Sequence, residues 1–143
     1  ANGDWSSDVC SSDLFRVSLI DERQEIAAVY NGKPCLDVGL MTDVFSGYGK
    51  SDGIIRAVRC MSPDYIVTDE LGADAKSIRQ AVNSGSGLIM TAHADSIEEA
   101  YRNEGIRTVI DSGAIQHIAL VQSHRITAVK QIITAEANAV CTI

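Results

Sequence analysis

The chain has 143 residues, 45% of them hydrophobic and 22% charged, with a formal net charge of −7. That balance fits one soluble globular domain able to bury a sizeable core. It disfavours non-specific nucleic-acid binding, which needs a basic footprint, and no run of about 18 apolar residues is present to span a membrane as a helix.

The start of the chain reads differently from the rest. Asp4 to Leu14 repeats the triplet Ser-Ser-Asp and has neither helical nor strand periodicity. Residues 1–14 are therefore read as a non-native leader, of the kind an in-frame translation of a sequencing adapter yields; the alternative is an ordinary polar leader. Ala1 to Ser12 lacks the charged-then-apolar pattern of a signal peptide. Fold reasoning begins at Phe15, and residues 15–143 are taken as one partial domain.

Phe15 to Ile20 is a short apolar run closed by Asp21-Glu22. Gly53 to Met61 places apolar residues on one face and Arg56 and Arg59 on another, which predicts an amphipathic helix. Tyr65 to Thr68 is a second apolar run, entered through Ser62-Pro63-Asp64 and closed by Asp69-Glu70. Asp74 to Asn83 repeats the helical pattern and Gly85 ends it. Gly87 to Ala92 is a third apolar run, followed by His93. Ser96 is a good N-cap, with Glu98 and Glu99 in the first turn of a helix reaching about Asn103. A short helix through Arg107 to Asp111 follows, and Ile115–Val121 with Arg125–Ile133 suggests an antiparallel hairpin.

Short runs, apolar on both faces and separated by helices, predict parallel strands buried on both sides. The expected fold is α/β: a mostly parallel sheet sandwiched by helices, then a hairpin. In such sheets ligands lie beyond the carboxyl ends of the strands. Three of those ends carry polar groups here, namely Asp21-Glu22, Asp69-Glu70 and His93.

A carboxylate pair at the end of a buried strand is costly unless something uses it. In a nucleotide hydrolase the first acid, here Asp69, holds magnesium through its water shell, and the second, here Glu70, is the general base. The plainer reading is that both cap the next helix. Asp21 and Glu22 could orient water or magnesium, and Arg23 could contact phosphate or pair with Glu25, against the plainer reading of a surface charge cluster. His93 could sense a γ-phosphate or be an ordinary strand-end histidine. Arg56 and Arg59 could reach a neighbouring subunit's nucleotide or simply be solvated. His117 and His124 have no partner pattern and are read as structural or exposed. The four cysteines, Cys10, Cys35, Cys60 and Cys141, form no CxxC pair and are read as free, partly buried thiols of a reducing cytosol.

The ordered motifs sharpen these alternatives. Ile20-Asp21-Glu22-Arg23-Gln24-Glu25-Ile26-Ala27 is similar to the DER-x-EIA signature of the stage III sporulation protein AA family. Asp37 to Val44 resembles that family's DVG-x-RTDVLD segment, with Met41 where arginine is usual. Arg59 to Gly72 resembles its Walker B region, and Ala81–Gly85 and Thr91–Ser96 resemble its EA-x-NAG and TAHG-x-S stretches. The resemblance runs from Phe15 to about Val121.

That resemblance implies a RecA-like P-loop NTPase core, ATP and Mg²⁺ as ligands, and a cytoplasmic homo-oligomeric ring. The ring would be peripheral to a membrane-bound channel between mother cell and forespore, without inserting into the membrane. It implies Asp69 as the magnesium-associated acid, Glu70 as catalytic base, Glu22 with Asp21 as the acidic box, His93 as the histidine box and Arg23 as a nucleotide-proximal arginine. The family's GxxxxGK[ST] loop is absent from the chain, which on this reading is N-terminally truncated and inactive. Gln122-Ser123-His124 also replaces the family's glycine-rich hairpin turn. The alternative is a naturally loop-less structural or regulatory ring subunit, which has no need of a strand-end carboxylate pair. A DNA-handling relative is disfavoured by the charge and by an aromatic content of 5%.

Overall fold

A computed structural model describes residues 15–71, 75–123 and 125–132. Its elements are β1 (Val17–Asp21), β2 (Thr42–Ser46), α1 (Lys50–Cys60), β3 (Tyr65–Glu70), α2 (Ala75–Asn83), β4 (Gly87–Thr91), α3 (Ile97–Arg102), α4 (Glu104–Asp111), β5 (His117–Gln122) and β6 (Arg125–Gln131). The first four strands form one parallel sheet in the order β2-β1-β3-β4. β5 and β6 form a separate antiparallel pair, with His117 opposite Gln131. The chain is thus a mixed α/β protein with a parallel sheet and a detached hairpin. The adapter-like leader and Cys10, Cys141 and His124 lie outside the described residues.

The sheet has one strand more than the sequence predicts. Thr42-Asp43-Val44-Phe45-Ser46 is too polar to read as a buried run, but its β-branched and aromatic residues suit an edge that is only half covered. It pairs with β1 from Val17–Thr42 to Asp21–Ser46, leaving β1 flanked on both sides. Helix α1 also begins at Lys50, earlier than the expected Gly53. That shift turns Lys50 toward the sheet, with consequences for the site.

The main core lies between the sheet and α1 and α2. Ile20 of β1 and Ile66 of β3 meet Ile54 and Ala57 of α1 and Ala81 of α2, all fully buried, with Phe45, Val58 and Leu88 at the rim. Each such isoleucine contributes about 1.5–3 kcal/mol by leaving water. The approach of α1 to β1 is set by Gly53, where an added Cβ would stand 2.6 Å from Ile20 Cγ2. A second cluster joins Ala100, Ile106 and Ile110 of α3 and α4 to Leu71, Ile118 and Ile132. The expected capping is present: Ser96 accepts from the Glu99 amide at 3.1 Å. Asn103 then caps α4 in the same way, accepting from Gly105 and Ile106 at 3.0 and 3.2 Å.

One irregularity marks the sheet's functional edge. β3 and β4 run in register from Tyr65–Gly87 to Thr68–Met90, then slip so that Glu70 faces Thr91 and Asp69 is the extra residue. The slip is held on both sides: the Thr91 hydroxyl donates to the Asp69 carbonyl, and the Leu71 amide donates to the Thr91 carbonyl at 2.7 Å.

Gly53→Val should lower the stability of the chain by about 1–3 kcal/mol through overpacking against Ile20. Urea unfolding should show a lower midpoint at unchanged m; an unchanged midpoint would mean that α1 does not depend on this close approach.

Candidate functional site

Because β1, β3 and β4 are parallel neighbours, their carboxyl ends lie along one edge. The three polar strand ends picked out in the sequence therefore share that edge. What each side chain does there differs.

Asp21 is fully buried, and its carboxylate is occupied. Oδ1 accepts from the amides of Glu25 at 3.0 Å and Ile26 at 3.3 Å; Oδ2 accepts from Ile26 at 3.2 Å and Ala27 at 2.8 Å. It clasps the loop that follows β1 and presents no oxygen to a ligand, so the cofactor-contacting part expected of it is not what the structure shows. Glu22, next along, is 44% exposed and faces the edge. Arg23 is exposed and forms no ion pair among the described residues, including with Glu25.

Lys50 is the residue that sequence reasoning missed. Its side chain is 10% exposed, and its ammonium lies 3.1 Å from Asp69 Oδ1 and 3.7 Å from Glu22 Oε2. It therefore ties the end of β1 to the end of β3. The available signal was Gly49-Lys50-Ser51, a small-residue frame around a lysine that opens a helix. Asp69 is 12% exposed; besides Lys50, its Oδ1 accepts from the Glu70 amide at 2.8 Å and the Thr68 hydroxyl at 3.4 Å. Burial pushes the Asp69 carboxyl up, but the Lys50 hydrogen bond, the Glu70 amide, the Lys50 charge and the Thr68 hydroxyl outweigh it. The net direction is down, so the group is a carboxylate at neutral pH.

The other oxygen of Asp69 behaves differently. Oδ2 is buried and has no hydrogen-bond partner among the described residues. A desolvated carboxylate oxygen left unpaired is costly, and a water held by a divalent cation would satisfy it. Glu22 and Asp69 thus fit an indirectly held magnesium. Among the described residues no group of three or more His, Cys, Asp or Glu could cage an ion by itself, so such a cation would complete its shell with water or with oxygens of its ligand.

Glu70 and His93 meet in one cleft of about 290 Å³, which Leu71, Ala92 and Asn103 also line. A larger neighbouring hollow of about 390 Å³ places His93 with Glu99, Arg102 and Asn103. The edge accordingly has two parts: a charged triad of Glu22, Lys50 and Asp69, and a Glu70–His93 cleft. Arg56 and Arg59 belong to neither. Arg56 Nε donates to Asp52 at 2.8 Å and its guanidinium lies 5.4 Å from the Tyr48 ring centre, while Arg59 is exposed in the last turn of α1. Cys35 and Cys60 are free, as expected, but exposed rather than partly buried, and His117 is exposed.

With the strand ends placed, the family is decided by one comparison: the family model described as sporulation stage III, protein AA, matches residues 9–139. The chain belongs to that family. It is also 27% identical over 126 residues to the stage III sporulation protein AA of Bacillus subtilis strain 168, a match covering 86% of this chain and 41% of that protein. The chain therefore spans well under half the length of the curated relative. No solved structure matches it.

Two expectations follow from these contacts. Asp21→Ala should strip the partners from three loop amides and destabilise the chain by about 3 kcal/mol, each lost bond to a charged group being worth about 1.5–3 kcal/mol. Hydrogen exchange at Glu25, Ile26 and Ala27 should rise before that of the sheet.

The second expectation concerns acid. A carboxyl lowered in the folded state adds stability above its ordinary value of 3.8, and that stability is lost as pH falls through the lower folded value. Asp69→Asn should therefore show a flatter dependence of stability on pH than the parent between 3.8 and the lower folded value, by circular dichroism.

Proposed function

We propose that the chain is the part of a RecA-like P-loop ATPase that carries the magnesium acid, the general base and a phosphate-sensing histidine. The observation that carries this reading is the convergence of Asp69, Glu70, Glu22 and His93 on one edge of a parallel sheet, in a member of the sporulation stage III protein AA family. By that membership its role is in sporulation. There it would act as a homo-oligomeric ATPase ring on the cytoplasmic side of a membrane-bound channel. No described helix is long and apolar enough to cross a membrane.

In this reading Asp69 and Glu22 would hold the magnesium of Mg-ATP, and the ion would supply charge neutralisation at the phosphates. Glu70, half-buried in the cleft beside His93, takes the proton of the attacking water. His93 donates a hydrogen bond to the terminal phosphate and passes its presence to α3 and α4, against which the cleft is built. Arg23, exposed and without an ion pair among the described residues, could meet a phosphate. Asp21 has no direct part; it fixes the loop on which Glu22 and Arg23 sit.

The phosphate cradle itself is not among the 143 residues. Gly49-Lys50-Ser51 matches the second half of GxxxxGK[ST], but Val44 stands where the first glycine belongs, and Lys50 is folded onto Asp69. The remaining length of the relative leaves room for such a loop elsewhere in the whole protein.

The 143-residue chain should neither bind ATP tightly nor turn it over. In a full-length protein containing a GxxxxGK[ST] loop, Glu70→Gln should lower kcat about 10²–10⁴-fold with nucleotide binding retained. Glu70-dependent hydrolysis by the short chain, or full activity of the long Glu70→Gln variant, would refute the assignment.

A further inference from the structure

Lys50 has no place in the chemistry above, yet it is the most buried cation at the edge, with a side chain only 10% exposed. Burying an ammonium is unfavourable unless carboxylates compensate it, and Lys50 has two, from different strands. Its ammonium lies against Asp69 Oδ1 and within 3.7 Å of Glu22, the same two groups that would hold a cation, while Asp69 Oδ2 has no hydrogen-bond partner among the described residues. The pair carries two negative charges and Lys50 cancels one of them. A divalent ion brought to the same carboxylates would meet a positive charge already in position.

We propose that Lys50 is the resident counter-ion of the Glu22–Asp69 pair, holding the two strand ends together and competing with a free divalent cation for those carboxylates until a phosphate-bearing ligand draws the ammonium away. Lys50 is a positioning residue in this account, acting through Asp69. The geometry makes the exchange short. Lys50 is the first residue of α1, so its side chain pivots on a fixed helix end, and Gly53 locks that helix to β1. Released from Asp69, the ammonium would lie beside the same edge at which the phosphates of a nucleotide are placed, and would pair with them. The magnesium part of this inference rests on the function proposed above; the counter-ion part does not.

The test measures cation binding by the 143-residue chain, without nucleotide or turnover. Free Mn²⁺ is followed by electron paramagnetic resonance in the parent, Lys50→Met, Lys50→Arg and the double variant Lys50→Met/Asp69→Asn. Lys50→Met should bind Mn²⁺ at least about tenfold more tightly than the parent. Lys50→Arg, which keeps the charge, should stay near the parent value, and the double variant should lose the gain. The melting temperature of Lys50→Met should rise on adding Mn²⁺, which a purely structural lysine would not produce.

A second measurement needs no substitution. Acylation of Lys50 in the parent, read by mass spectrometry, should increase as millimolar Mn²⁺ competes for its carboxylates. Unchanged Mn²⁺ affinity in Lys50→Met, a gain that survives Asp69→Asn, or Lys50 labelling indifferent to Mn²⁺ would each overturn the proposal. None of these readouts depends on ATP hydrolysis, so the ATPase reading can fail while this one stands, and the reverse.

Discussion

Everything at the candidate site depends on β1 being held in parallel on both sides. Parallel neighbours cannot be joined by tight turns, so each connection must cross a face of the sheet and return to the same starting edge. The opposite edge then collects every strand's carboxyl end, whatever the sequences in between. Glu22, Asp69 and His93, which are far apart in the chain, reach the same edge for that reason. The apolar contacts of Ile20 and Ile66 with α1 and α2 supply the energy that keeps the strands aligned.

The site then sorts residues of one chemical type into different tasks by burial and partner. Asp21 and Asp69 are both strand-end aspartates with little or no exposure. Asp21 meets loop amide hydrogens and is spent on loop geometry, whereas Asp69 meets an ammonium, an amide and a hydroxyl on one oxygen and, among the described residues, no donor on the other. No property of the residue type separates them; the direction taken by the chain after each one does. After Asp21 the backbone folds back over the carboxylate, and after Asp69 it continues as strand.

That distinction also marks how far the sequence could be read. The strands and helices with strong periodicity were legible to within a few residues, and so were the Ser96 cap, the hairpin and the convergence of the three polar ends. β2 was not, because an edge strand needs no continuous apolar run. The start of α1 was not, because Lys50-Ser51-Asp52 reads as a polar loop until one knows that a carboxylate pair lies beneath the lysine. Helix propensity does not report such an ion pair, since it joins residues of three separate elements. The same reasoning explains Asp21: its hydrogen bonds depend on the path of the loop, which local pattern does not encode.

The one-residue slip between β3 and β4 has a further meaning for how this edge could vary. With an unbroken ladder Glu70 would face Ala92, leaving His93 one position beyond its partner; the slip puts Glu70 opposite Thr91 and moves His93 a residue farther out. One strand residue is about 3.3 Å of travel, comparable to a single hydrogen bond. The reach between the two side chains is therefore quantised by the ladder, and an insertion or deletion at either strand end would reset it in one step. A point substitution at Glu70 or His93 would leave that spacing untouched. Divergence of this edge by length and divergence by side chain are thus separate routes, with the first acting on distance and the second on chemistry.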